Sequence, residues 1–157
     1  MTTDPRFARS AQALADAVLE LAAERSIEQV SVTEIARAAG VTRATFYNHA
    51  ASPAALLTRV LEAELDQILA DFLARTDSGN GDVETVWRGS ELELIEHILS
   101  HRAVYTQDLT GAQGSVLGQM IARHIETGLH TFALTMPGRE GEDPLRLSMA
   151  AAFVAQG

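Results

Sequence analysis

The stretch SVTEIARAAGVTRATFYNH, residues 31–49, decides the reading of this chain. Ser31 stands three residues before Glu34, the spacing of a capping box. The hydroxyl accepts from the Glu34 backbone N–H while the carboxylate reaches back to the N–H of Ser31, so a helix starts there. Val32, Ile35, Ala36 and Ala39 then recur at helical spacing and form one apolar stripe. Gly40 ends that helix, because glycine takes the left-handed closing conformation at no side-chain cost, and Val41 packs back into the hinge. Thr42 caps a second helix of about two turns. Phe46 is its large apolar residue and anchors the underside, leaving Arg43, Ala44, Thr45, Tyr47, Asn48 and His49 around the rest. With Ala36 small enough for close approach and Gly40 four residues on, the pair meets the pattern of a helix-turn-helix.

The side chains of the second helix suit the major groove of a duplex. Arg43 has the fork to donate two hydrogen bonds to guanine, Asn48 the amide for a bidentate pair with adenine, and Thr45 or Ala44 a methyl for thymine. Tyr47 and His49 are placed for phosphates or sugars, together with Ser31 and Thr33 at the front of the first helix and Thr42 at the front of the second. Any one of these groups alone reads as a solvated face. The coincidence of caps, glycine, anchor and polar set in one window favours base reading.

With these residues in view, the first 75 or so residues resemble the DNA-binding region of TetR-family transcriptional regulators: a long first helix, the VTEIARAAGVTRATFYNH core, and a further helix running on from Pro53. The resemblance implies that Arg43, Ala44, Thr45, Tyr47, Asn48 and His49 read the groove or contact the backbone. It also implies a second region that binds a small effector and dimerises, and so a homodimeric repressor on a palindromic operator. Two positions depart from the family pattern: Ala50 stands where an aromatic is usual, and Pro53 where a lysine is usual. Pro53 suits the first position of a helix capped by Ser52, but it removes a phosphate contact.

Composition bounds the rest. At 157 residues with 46% hydrophobic content, few aromatics and no cysteine, the chain has enough apolar material for a helical core and lacks disulfides, thiolate metal sites and cysteine nucleophiles. No apolar run reaches the roughly 18 residues of a membrane span, and MTTDPRFARS lacks the apolar core of a signal peptide. A cytoplasmic location is expected, with no membrane partner. The net charge of −9 is unevenly spread. Residues 1–50 hold five arginines against six acidic residues, and the remaining 107 hold seven against fifteen. The acidity therefore sits mainly beyond the helix-turn-helix, where it would repel a duplex and orient the near-neutral part towards it. Every basic residue is arginine, whose fork suits guanine and phosphate alike.

Outward from the motif, the pattern predicts an all-α chain: a helix-turn-helix domain over 6–52 and a helical effector-binding and dimerisation domain over 53–157. Residues 6–25 form an amphipathic helix with Leu14, Val18, Leu21 and Ala22 on the covered face, and Ile27 and Val30 close the corner. A long helix runs from Pro53 to about Arg75, and TDSGNGD, residues 76–82, reads as a loop. From Val83 to about His101 two apolar stripes, Trp87/Leu94/Ile98 and Leu92/Ile95/Leu99, predict a helix central in a bundle. GAQG (111–114) and PGREGEDP (137–144) are breaks on either side of a helix over 115–136. Set against the arrangement the resemblance implies, the final helix is expected to be missing before Gly157, through truncation or because dimerisation uses fewer helices. The apolar face of 145–156, with Leu145, Met149, Ala152 and Phe153, is then the expected partner surface.

Trp87, Ile98, Tyr105, Met120, His124, Phe132 and Met136 fall on inward stripes and are the candidates for an effector pocket. For His124 the alternatives are a ligand-sensing group and a satisfied core histidine, the more frequent use of such a position. Gly128 in mid-helix makes room for a ligand or is simply tolerated at about 1 kcal/mol relative to alanine. His97 and His101, one helical turn apart, read as solvent-facing rather than as a metal pair, since the HExxH order is missing. No GxSxG serine motif occurs. No enzyme, metal or cofactor is expected; the remaining alternative is a helical interaction or ligand-binding protein with weak or lost DNA binding.

Overall fold

The computed structural model describes residues 4–77, 83–109 and 116–135. Among these residues there are seven α-helices and no strand: α1 (Pro5–Glu24), α2 (Val32–Ala38), α3 (Arg43–His49), α4 (Pro53–Asp77), α5 (Val83–Ser100), α6 (Arg102–Leu109) and α7 (Val116–Thr135), with a single 3₁₀ turn at Ile27–Gln29. They divide into two compact units, one of residues 4–62 with 101–109, the other of 63–100 with 116–135. The expected division at 52/53 differs on two counts. The start of α4 is packed into the first unit, and α6 returns to that unit from far along the chain.

The first unit is built on local chemistry. Asp4 caps α1, its Oδ1 accepting from Arg6 N–H at 2.9 Å, and Pro5 takes the first helical position, where no N–H is needed. Leu14, Val18 and Ala22 follow one stripe of α1 and are buried; α2, α3 and α6 pack against this helix. The capping box at Ser31 is formed in both directions, Glu34 N–H to Ser31 Oγ at 3.2 Å and Ser31 N–H to Glu34 Oε2 at 2.9 Å. Gly40 has φ +65°, the left-handed conformation that turns the chain between α2 and α3. Ser52 caps α4 through the Ala55 N–H at 3.1 Å. Helix α6 was not delineated by the pattern: eight residues give too few periods, and its buried pair Val104 and Tyr105 finds its cover on α1, some ninety residues earlier.

The second unit holds the later part of α4 with α5 and α7. Leu65 and Phe72 of α4 and Leu117 and Met120 of α7 are buried. Phe72 meets the Trp87 ring edge-on, centroids 5.7 Å apart. Arg75 grips Glu93 with two parallel bonds of 2.8 and 2.7 Å, tying the end of α4 to α5. Helix α4 continues through Thr76 and Asp77, the first two residues of the expected loop, and residues 78–82 lie outside the described residues. Two expectations for α5 are corrected. His97 is not solvent-facing: it is buried, with Nδ1 3.1 Å from Glu64 Oε2, because one turn of α5 lies against α4 at that level. The stripe Leu92/Ile95/Leu99 is exposed, at 62, 51 and 63%, while Trp87, Leu94 and Ile98 on the other stripe are half-buried. The breaks at 111–114 and 137–144, Met136 and the apolar face of 145–156 lie outside the described residues.

Phe46 is fully buried at the meeting of α1, α2 and α3. Replacing it with alanine should lower stability by about 3–5 kcal/mol in urea unfolding. A loss below about 1 kcal/mol would mean the helix-turn-helix is not anchored there.

Candidate functional site

Two faces of α3 have different tasks. Thr42 leads in with extended backbone, its Oγ1 accepts from the Thr45 N–H at 3.1 Å, and the two threonine hydroxyls lie 2.9 Å apart. Arg43, Ala44, Tyr47 and Asn48 follow i, i+1, i+4, i+5 and share one face, and all four are exposed, Tyr47 at 53%. Thr45 at the edge of that face is half-buried. On α2, Ser31 and Thr33 are exposed, but the Ser31 hydroxyl already donates to Glu34 Oε2 at 2.7 Å. The Glu34 carboxyl is held below its ordinary pKa by the Ser31 backbone and side-chain hydrogen bonds, with Arg25 at 2.5 Å and Arg37 adding to the effect.

His49 belongs to the other face, and the expectation that it contacts phosphate is corrected. Its side chain is 7% exposed and turned towards α1. Phe7 stacks on the ring at a centroid distance of 4.1 Å, and Ser10 Oγ lies 2.8 Å from Nε2. Nδ1 is buried without a hydrogen-bond partner. The Arg59 guanidinium of α4 donates to the His49 backbone carbonyl, satisfying one of the last carbonyls of α3. Burial, and secondly the charge of Arg59, hold the imidazole below its ordinary pKa, so it is neutral in the folded protein near pH 7.

In the second unit lies a cavity of about 440 Å³. Its walls are Ile68, Leu69 and Phe72 from α4, Trp87, Ser90, Glu91, Leu94 and Ile95 from α5, and His124, Ile125, Gly128 and Leu129 from α7. The volume is in the range of small-molecule sites, and the lining is mostly apolar. The Trp87 indole N–H donates to Glu91 Oε1 at 2.8 Å. A Cβ on Gly128 would sit 3.7 Å from the Trp87 ring, an ordinary contact, so α7 passes close to that ring at the glycine. Burial pushes the His124 pKa down and the Asp66 carboxylate acts against it.

Of the expected pocket residues, Trp87 and His124 are brought together. Ile98, half-buried, and Met120, buried, are not in the wall. Tyr105 is in the other unit, buried on α6, and is corrected. The Phe132 side chain lies outside the described residues.

The motif has known counterparts. Residues 14–60 match the model of bacterial regulatory proteins of the tetR family. Over those residues the chain is similar to the tetR family. Over 84 residues, 52% of this chain, it is 33% identical to the HTH-type transcriptional regulator EthR of Mycobacterium tuberculosis and of Mycobacterium bovis. The chain matches 38% of the length of those curated relatives. The fold is similar to that of the dihydroxyacetone kinase operon activator DhaS, with a TM-score of 0.68, 17% identity, and 94% of this chain and 78% of that chain covered.

Within the first unit, Phe7, Ser10 and Arg59 were not singled out from sequence as supports of α3. Phe7 and Ser10 are one turn apart on α1, which was the available signal, but their partner is 39 residues away from Ser10. Because the folded pKa of His49 lies below its unfolded value, the unfolded chain binds the proton more readily. Stability is therefore complete above the ordinary histidine pKa of 6.5 and falls as the pH drops below it. His49→Phe should flatten the fall in stability between about pH 6.5 and 5 relative to the native chain. An unchanged slope in urea unfolding across that range would show that His49 protonates freely in the fold.

Proposed function

We propose that the protein is a DNA-binding transcriptional regulator whose α3 enters the major groove. The observation that carries this reading is the exposed set Arg43, Ala44, Tyr47 and Asn48 on one face of a helix whose other face is locked by Phe46 and His49. Arg43 supplies a fork for guanine and Asn48 an amide for adenine. Tyr47 reaches sugar or phosphate, with Thr33 and the front of α2 following the backbone. The threonine pair at 42 and 45 holds the start of the helix and leaves the methyl of Thr45 for base contact. The working form is a cytoplasmic homodimer, placing two copies of α3 in successive major grooves about one helical turn apart on a palindromic site.

The cavity of the second unit is the effector site in this reading. A small molecule bound there shifts the population towards a state that no longer fits the operator, and the gene is derepressed. Regulation, rather than catalysis, is the task of both units.

Selection of bound duplexes from a random pool tests the proposal directly. A recovered palindrome with half-sites about one turn apart is expected; no enriched sequence would overturn it. On the selected site, Arg43→Ala should cost about 1–3 kcal/mol and relax preference at one base pair, and unchanged affinity in gel-shift titration would count against α3 as the reading helix. Affinity should also fall steeply with rising salt. At Gly128, alanine should leave effector response intact, whereas leucine, which projects into the cavity, should blunt it while operator binding stays at the native level. Loss of operator binding in the leucine variant would indicate misfolding, and an undiminished response would place the effector elsewhere.

A further inference from the structure

The polar groups of the cavity are unequal in kind. No arginine is among its described lining residues, and the chain contains no lysine. The Ser90 hydroxyl hydrogen is committed to the Trp87 carbonyl at 2.8 Å, which leaves the oxygen as an acceptor. Glu91 is at the exposed edge, with Oε1 accepting from Trp87 and the rest of the carboxylate open to a donor. A carboxylate or phosphate ligand would lose its water here and find no cation among the described lining residues to replace it. A ligand that donates meets acceptors on α5 and two aromatic rings, Phe72 and Trp87, whose faces attract positive charge.

We propose that this cavity takes an organic amine: an apolar body against Phe72 and Trp87, and a protonated nitrogen that meets the Glu91 carboxylate. The proposal rests on the reading of the cavity as the effector site. His124 on the opposite wall is kept neutral by burial, so it offers a hydrogen bond without adding a repelling charge. The excess of acidic residues beyond residue 50 adds a long-range attraction for cations.

Trp87 is the one tryptophan of the chain, so its emission reports occupancy of the wall it forms. Two carbon skeletons, 4-phenylbutyl and octyl, would each be titrated as the amine, the alcohol and the carboxylate into the full chain. On at least one skeleton the amine should change the emission and bind about tenfold or more tightly than the alcohol, as a charge-assisted hydrogen bond allows, with the carboxylate weakest. Glu91→Gln keeps an acceptor for the Trp87 indole and should bring amine and alcohol to about equal affinity. Carboxylates binding as well as amines, an amine preference that survives Glu91→Gln, or no response to any of the six compounds would overturn the proposal. Selected DNA is then added. Amine binding in the expected order without release of DNA would leave the ligand class standing and overturn the effector reading instead.

Discussion

A seven-residue helix does not hold itself together in water, because the cost of nucleating it is not recovered in so few hydrogen bonds. Helix α3 exists because Phe46 and His49 are pressed against α1, and because its ends are satisfied by Thr42 at the front and by Arg59 at the His49 carbonyl. The outward direction of Arg43 and Asn48 follows from that anchorage. The stack of Phe7 on His49 and the hydroxyl of Ser10 fix how far the helix rolls on α1, which decides which side chains face solvent. A buried imidazole with one nitrogen unpartnered is a costly anchor, and it persists because the surrounding contacts determine its position.

What the sequence made legible was chiefly what is local. The capping box at Ser31, the turn at Gly40, the Thr42 cap and the Phe46 anchor are each decided within four residues, and all are present. His49 could not be placed this way. Its type and position fit a phosphate contact, and only the presence of Phe7 and Ser10 from a distant helix turns it inwards. The same limit explains α6, whose two buried residues are too few to form a stripe and whose cover lies on α1.

The cavity was half legible for a related reason. Helical spacing identifies the side of a helix that faces a neighbour, and it put Trp87 and His124 on such sides. It does not tell a packed contact from a gap, so Met120 and Ile98 satisfied the same pattern, and the contribution of α4 through Ile68, Leu69 and Phe72 went unread. Glu91 was missed because an exposed acid on a helix reads as solvated. Its indole partner gives it a fixed place at the edge of the wall.

The division of α3 into an anchored side and an open side bears on how such a protein diversifies. Arg43, Ala44, Tyr47 and Asn48 carry little of the packing, so exchanging them alters stability by only about 0.5 kcal/mol or less. Descendants of one ancestral scaffold are therefore free to acquire new target preferences one side chain at a time, without passing through poorly folded intermediates. Drift at Phe46 or His49 meets immediate purging.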